Sequence, residues 1–213
     1  MKVASFSLLA ALISLPSFAD WKLQADQSQV YFSTVKKESV AEVHQFKTLQ
    51  GAISADGQFT LAVDLASAET GVAIRNERMA QYLFETTKFT QATGKGKIDV
   101  AELDKQDKGS SREVKVAVTF ELHGKTITKE VNLLVVKLSA KQFDVHTPAP
   151  IHLNAADFDL GAGVEKLKEL ASLPSISPVV PVTLHLRFNQ EGKDKKTTQS
   201  APAMPANNST SSY

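Results

Sequence analysis

Apolar and polar residues alternate along most of the chain, which is the pattern of β-strands that bury one face. The alternation is clearest at residues 114–122, where every second residue is valine, phenylalanine or leucine. Similar segments lie at residues 28–35, 42–53, 58–65, 88–100, 125–138, 141–147 with 150–154, and 179–188. The sequence therefore predicts about eight strands, each with one apolar face.

Eight half-buried strands fit two folds, a closed antiparallel barrel and a two-sheet sandwich. Asp56-Gly57 and His123-Gly124 are turn dipeptides, and such dipeptides join neighbouring antiparallel strands into hairpins. A barrel of eight strands is just wide enough to hold a small ligand. The alternation by itself leaves the choice between the two folds open.

Residues 65–89 interrupt the strand pattern. Met79, Tyr82 and Leu83 fall at the i, i+3, i+4 spacing of one helix face. A short amphipathic helix in a β-rich chain buries its apolar face on a sheet, and in a barrel it can do so by covering one end. We therefore expect this segment to form a lid. A second short helix is predicted at residues 164–173 from its apolar stripe.

The two ends of the chain differ in composition from the middle. Residues 1–19 combine a basic start, an apolar run and small residues before Ala19, which predicts a secretory signal peptide cleaved after Ala19. Residues 191–213 are rich in Lys, Ser, Thr, Pro and Asn, which predicts a disordered tail because little in it can be buried. A single exported domain at residues 20–190 is therefore expected.

The composition excludes several classes of function. The chain of 213 residues has no cysteine and a formal net charge of +1. Without cysteine there are no disulfides, thiol nucleophiles or Cys-based zinc sites, so apolar packing must stabilise the fold. A near-neutral charge offers no electrostatic attraction for nucleic acid. Beyond the signal peptide, no apolar segment approaches the roughly 20 residues that a membrane span needs.

Neither a metal site nor a catalytic site is predicted. The histidines do not occur at the His-x-His or His-x₃-His spacings with which one strand or helix presents two ligands, although ligands can come from separate strands. Gly-x-Ser-x-Gly, the nucleophile motif of many hydrolases, is absent, and no cofactor motif is found. The histidines in question are His44, His123, His146, His152 and His185.

Several motifs resemble the YceI-like family of exported lipid-binding proteins. Residues 67–89, SAETGVAIRNERMAQYLFETTKF, carry Ser, Thr-Gly, Arg and Phe in that family's order and spacing. The chain departs from the family's Arg-Asp-x-His motif at Asn76 and Arg78, so no role of that acid or histidine is carried over. The other matches are Trp21, a Ser-x-Val-x-Phe strand at Ser28, Val30 and Phe32, a Gly-x-Thr hairpin at Gly124 and Thr126, and Asp157-Phe158.

The resemblance implies an all-β, lipocalin-like antiparallel barrel in the bacterial periplasm. Its apolar interior would sequester or carry an amphiphilic isoprenoid, either a polyprenyl lipid or a quinone, without catalysis. Arg75 and Arg78 are candidates for contact with a polar head group. The candidate residues for contact with the apolar chain are Phe32, Phe59, Val63, Met79, Leu83, Phe84, Val116, Val118, Phe120 and Leu184.

An alternative interpretation assigns the same apolar residues to a solid core. The barrel would then be a non-enzymatic interaction module that binds an envelope protein through its outer face. Burial of an alkyl chain contributes roughly 0.8 kcal/mol per CH₂, so the two interpretations differ in whether the interior has room for such a chain. The sequence leaves the oligomeric state open.

Overall fold

The computed structural model describes residues 21–191. The predicted signal peptide and the predicted tail after Glu191 lie outside the described residues. The strands are β1 (Trp21–Leu23), β2 (Gln29–Lys36), β3 (Val40–Phe46), β4 (Leu49–Ile53), β5 (Gln58–Asp64), β6 (Ala68–Glu69), β7 (Gln91–Lys97), β8 (Ser111–Leu122), β9 (Lys125–Ser139), β10 (Gln142–His146), β11 (Ile151–Asn154) and β12 (Val179–Gln190). The α-helices are α1 (Ala73–Arg78), α2 (Val100–Asp104) and α3 (Gly161–Leu170).

The strands form a closed antiparallel barrel. Hydrogen-bonded neighbours follow the order β1-β4-β5-β7-β8-β9-β10-β12, and β12 pairs with β1 to close the ring. At one end of the barrel, β2 takes the place of β1 as the partner of β12, and β3 pairs with β2. β11 pairs with β12 at the same end. The predicted all-β barrel is confirmed, and the choice between barrel and sandwich is settled in favour of the barrel.

Most strands lie where the alternation placed them, with one break. The segment predicted as a single strand at residues 42–53 is two strands, β3 and β4, separated at Lys47 and Thr48. The predicted hairpin follows β4, and Gly57 in its turn has a φ of +83°, a conformation that glycine adopts without steric cost. The break in the strand lets β3 and β4 pair with different neighbours.

Helix α2 was not predicted, although its start carries a recognisable signal. The side chain of Asp99 accepts a hydrogen bond from the backbone N–H of Glu102 at 3.1 Å, which is the bond of an N-cap residue. The helix ends against Lys137, whose buried ammonium donates to the carbonyl oxygens of Leu103 at 3.3 Å and Asp104 at 3.4 Å. A lysine on an inward-facing strand position thus satisfies the last carbonyl groups of a short helix.

Aromatic side chains fill one end of the barrel. Trp21 is 2% exposed, and its ring centroid lies 4.5 Å from that of Phe143. The ring of Phe143 lies in turn 5.5 Å from that of Phe188. These residues come from β1, β10 and β12, so they pack together across the seam at which the barrel closes.

The other end of the barrel is hollow. Along β12 the inward residues Leu186 and Phe188 are buried, whereas Val182 and Leu184, on the same face, are only half-buried. Inward residues that keep accessible surface face an internal space. The barrel therefore has a filled end and a hollow end.

The helical segments cover the hollow end. Helix α1 continues into a π-helical turn at Met79–Leu83, and the N–H of Phe84 donates to the carbonyl oxygen of Met79 at 2.9 Å. Helix α3 packs on this turn at Gly163, where a Cβ atom would lie 2.7 Å from the carbonyl oxygen of Tyr82. Among the described residues, none of the helices combines the length and the apolar character that a membrane span requires.

Candidate functional site

The hollow end contains a cavity of about 540 Å³ with a mostly apolar wall. Val72 and Ile74 belong to the wall although they are 45% and 51% exposed, so they mark its opening to solvent. The strands contribute Phe32, Phe46, Leu61, Val63, Phe120, Val182 and Leu184. The covering helical segments contribute Met79, Leu83, Val164 and Leu167, and Ala171 at the end of α3 adds to them. The residues predicted to form a lid thus form one side of the cavity.

Most of the residues predicted to contact a ligand lie in this wall. They are Phe32, Val63, Met79, Leu83, Phe84, Phe120 and Leu184, together with the head-group candidates Arg75 and Arg78. Phe59, Val116 and Val118 lie outside it. Val116 and Val118 are buried, and Phe59 lies over Gly96, where a Cβ atom would come within 2.6 Å of its ring. These three residues therefore belong to the packed core and not to the cavity wall.

A group of polar residues in the wall was missed by the sequence-based interpretation. Thr34 and Lys36 on β2 and Glu42 and His44 on β3 line the cavity. They share a face with the apolar residues that precede or follow them at a spacing of two. Extending that spacing beyond the last apolar residue of each strand would have found them. We call these four residues the polar rim.

Glu42 joins the polar rim to the lid. Its carboxylate Oε2 lies 2.9 Å from Nζ of Lys36 and 2.8 Å from Nη1 of Arg75 on α1. Arg75 also donates to the carbonyl oxygen of Thr70 at 2.6 Å. The hydrogen bond from Lys36, and to a lesser extent the charge of Arg75, hold the pKa of Glu42 below its ordinary value of 4.5. We call the Glu42–Arg75 pair the latch.

Two further contacts position α1. Arg78 donates to the carbonyl oxygen of Leu170 at the end of α3, at 3.1 Å. Asn76 accepts hydrogen bonds from the N–H of Thr70 at 3.0 Å and from its hydroxyl at 2.6 Å. Asn76, one of the two departures from the family motif, therefore stabilises the turn that precedes the helix.

His44 is a buried polar group within the apolar wall. It is 4% exposed, its Nε2 lies 2.9 Å from the hydroxyl of Thr34, and its ring lies 5.2 Å from that of Phe32. Burial, with the nearby charge of Arg75, lowers the pKa of His44 from its ordinary value of 6.5. His44 is therefore neutral at pH 7 and adds hydrogen-bonding capacity to the wall without adding charge.

Loss of the latch is expected to loosen the lid. In a double-mutant cycle of Glu42→Gln and Arg75→Met, we expect a coupling in the free energy of unfolding of on the order of 1 kcal/mol. The effect is modest because both side chains are partly exposed to water. Since folding depresses the pKa of Glu42, its contribution is present above the unfolded value and is lost as the pH falls below about 4.5. Urea denaturation at pH 7 and pH 3 measures both effects.

A matched pair on the outer surface provides the control. Lys95 and Glu121 are 3.5 Å apart, and the side chains of both are 53% exposed, so a cycle of Lys95→Met and Glu121→Gln should give a coupling near zero. A coupling at Glu42 and Arg75 no larger than this control would contradict the assignment of the latch.

Sequence and structure comparisons identify known proteins that share this fold. A family profile described as the YceI-like domain matches residues 21–188. The structure of a polyisoprenoid binding domain from Saccharophagus degradans, implicated in plant cell wall breakdown, is 38% identical in sequence. It superposes with a TM-score of 0.80, and the match covers 82% of this chain and 100% of that domain.

A more distant structure shares the fold. The crystal structure of BcnA from Burkholderia cenocepacia matches with a TM-score of 0.61 at 18% identity, over 78% of this chain and 98% of that chain. At this level of identity the likeness concerns the fold alone. A comparison with curated protein sequences found no match.

Proposed function

The chain belongs to the YceI-like family, as the sequence motifs predicted, and from that membership we propose that it binds an amphiphilic isoprenoid lipid inside its barrel. The observation that carries the proposal is the apolar cavity with polar groups beside its opening. The 38% identical relative is itself a polyisoprenoid binding domain. The ligand's chain would occupy the apolar part, and its head group would lie near the polar rim.

The cavity suits a branched hydrocarbon chain. Its volume of about 540 Å³ lies within the range of roughly 300–1,000 Å³ that is usual for small-molecule sites. Each buried CH₂ contributes roughly 0.8 kcal/mol, so a few isoprene units provide enough free energy for tight binding. Met79 and Leu83, from the lid, have flexible side chains that adapt to methyl branches. A long chain would extend through the opening beside Val72 and Ile74.

The charges near the opening favour a head group that accepts hydrogen bonds. Lys36, Arg75 and Arg78 bring three cations to the wall, and Glu42 brings one carboxylate. Arg78 uses one nitrogen in its bond to Leu170, which leaves other N–H groups of its guanidinium as donors. Quinone carbonyl oxygens and phosphate oxygens are both acceptors. Binding of a phosphate should weaken as the salt concentration rises, whereas binding of a neutral quinone should not.

The role proposed for the protein is that of a carrier or a scavenger of lipid, without catalysis, in the bacterial periplasm. Export depends on the predicted signal peptide, which lies outside the described residues. The mass of the intact protein recovered from the periplasmic fraction tests the predicted cleavage, because cleavage after Ala19 leaves a chain that begins at Asp20. A mass that includes residues 1–19 would contradict the predicted cleavage.

Analysis of bound lipid tests the proposed function. Protein purified from the periplasm of its own bacterium is extracted with organic solvent, and we expect mass spectrometry to find an isoprenoid lipid at close to one molecule per protein. Lipid-free protein is then titrated with a long-chain quinone, with a polyprenyl phosphate and with a straight-chain fatty acid of similar length. Equal affinity for the fatty acid, or isoprenoid no more abundant than in an unrelated periplasmic protein, would overturn the proposal.

A further inference from the structure

Three side chains of the kinds that bind metal ions lie close together with an arginine on the outer face of the barrel, away from the cavity. Asp144 and His146 are on β10, and His185 and Arg187 are on β12. The register places Asp144 opposite Arg187 and His146 opposite His185. Directly opposed side chains on antiparallel strands have their Cβ atoms roughly 4.5–5.5 Å apart. Val145 lies between Asp144 and His146 on β10 and is buried, so it faces inward and its two neighbours face outward.

The geometry of three of these residues fits a shared ion. One ligand atom from each of Asp144, His146 and His185 lies within 4.8 Å of the other two. The imidazole rings are stacked, with centroids 4.3 Å apart and an angle of 20° between their planes. A tetrahedral zinc ion with bonds of roughly 2.1 Å holds its ligand atoms about 3.4 Å apart. Small side-chain rotations therefore bring the three residues to metal-binding distances.

The hydrogen bonds at the site leave a ligand atom without a partner. Arg187 binds Asp144 side-on, with Nε 2.7 Å from Oδ1 and Nη2 2.7 Å from Oδ2. Nε2 of His185 lies 3.4 Å from Oδ2 of Asp144 but makes no hydrogen bond within the described part of the chain. The ion pair of Asp144 with Arg187 is complete without the histidines. This ion pair explains why Asp144 can be buried, but it does not explain why the imidazoles of His146 and His185 lie beside Asp144.

The surroundings allow a cation to bind despite Arg187. Arg187 and Asp144 together carry no net charge, and each carboxylate oxygen keeps a second lone pair. The neighbouring side chains opposite Asp144, His146 and His185 on the adjoining strands are uncharged, namely Val136, Leu134 and Gln29. Carboxylates that bind metal ions are themselves held by hydrogen bonds from outer groups, and Arg187 makes such bonds to Asp144.

The geometry points to a surface site for a divalent first-row transition-metal ion, formed by Asp144, His146 and His185, with Arg187 as the residue that positions the carboxylate. Two imidazoles and one carboxylate are the ligand set of zinc and copper sites rather than of magnesium or calcium sites. This inference departs from the expectation, drawn from histidine spacing, that the chain holds no metal. It is independent of the proposed lipid function, because the site and the cavity share none of these residues.

Titration with Zn²⁺ tests the site. The mature chain, purified without a polyhistidine tag and treated with a chelator, is titrated calorimetrically at pH 7.5, and we expect one equivalent of Zn²⁺ to bind. His146→Ala and His185→Ala should each weaken binding at least tenfold, because each removes one of three ligands. His146→Gln, which keeps a polar side chain of similar size, should weaken it equally.

A histidine elsewhere on the barrel provides the matched control. His152 on β11 is exposed and lies outside the cluster, so His152→Ala should leave the affinity for Zn²⁺ within twofold. Thermal denaturation shows that each variant is folded, and Zn²⁺ should raise the melting temperature of the unmodified protein and of His152→Ala only. Absence of saturable binding, or an affinity in either His146→Ala or His185→Ala within twofold of that of the unmodified protein, would overturn the proposal.

Discussion

Replacement of Gly94 by phenylalanine is expected to weaken lipid binding at least tenfold while the barrel stays folded. Gly94 lies in the cavity wall, and a Cβ atom there would lie 3.6 Å from Val118 and 3.9 Å from Phe120. These are ordinary contact distances, so the backbone accepts a side chain. A benzene molecule fits a cavity of on the order of 150 Å³, so a phenyl group takes up about a quarter of the 540 Å³. A tenfold loss of affinity corresponds to about 1.4 kcal/mol. Exclusion of two CH₂ groups of the lipid from the cavity is enough to cause it.

The control for Gly94→Phe is the next residue on the same strand. Lys95 is exposed and points to the opposite face, so Lys95→Phe adds the same side chain to the outside of the barrel and should leave affinity within twofold. Binding is measured by displacement of a fluorescent fatty acid, because the one tryptophan of the chain, Trp21, lies outside the cavity wall. Unchanged affinity in Gly94→Phe would show that the ligand does not occupy this cavity.

Replacement of Trp21 by alanine is expected to have the largest effect on stability. Trp21 is 2% exposed and packs on Phe143 at the filled end. Truncation of a buried tryptophan or phenylalanine to alanine costs about 3–5 kcal/mol, out of the roughly 5–15 kcal/mol by which domains are stable. The loss is aggravated because Trp21 lies on β1, the strand through which the ring closes. The midpoint of urea denaturation should fall with little change in its slope.

An aromatic residue on the outer face controls for the loss of Trp21. Tyr31 on β2 is 37% exposed, so Tyr31→Ala should cost less than about 1 kcal/mol. Folded Trp21→Ala should bind lipid with affinity within threefold of the unmodified protein, because the filled end does not line the cavity. A cost below 1 kcal/mol for Trp21→Ala would contradict the division of the barrel into a filled end and a hollow end.

The barrel was predictable because strand faces are set locally. Residues 114–122 alternate strictly, and β8 buries Val116 and Val118 and turns Lys115 and Ala117 outward, as a period of two requires. The lid was predictable for a similar reason, since Met79 and Leu83 share a helix face. Helix α2 was missed because its five residues carry too little periodicity, and its N-cap at Asp99 was the signal to use.

The polar rim was missed because the buried face of each strand was identified from its apolar residues. Glu42 and His44 face inward, where a neutral imidazole and a paired carboxylate are tolerated because each has a partner. Arg75, a candidate for contact with a head group, is held by Glu42 and Thr70. Which polar side chains find partners inside a barrel depends on the opposing strand and on the lid.

The sequence by itself determined the strands, their buried faces, the position of the lid and the family. The strands and the lid follow from the pleat of a strand and the turn of a helix, which are properties of neighbouring residues, and the family follows from the order and spacing of short motifs. Only the tertiary structure decided that the barrel is filled at Trp21 and hollow at Leu184, and that Asp144, His146 and His185 meet on its outer face. The space inside a barrel and the contacts between strands depend on side chains that are distant in the chain, so no local pattern records them.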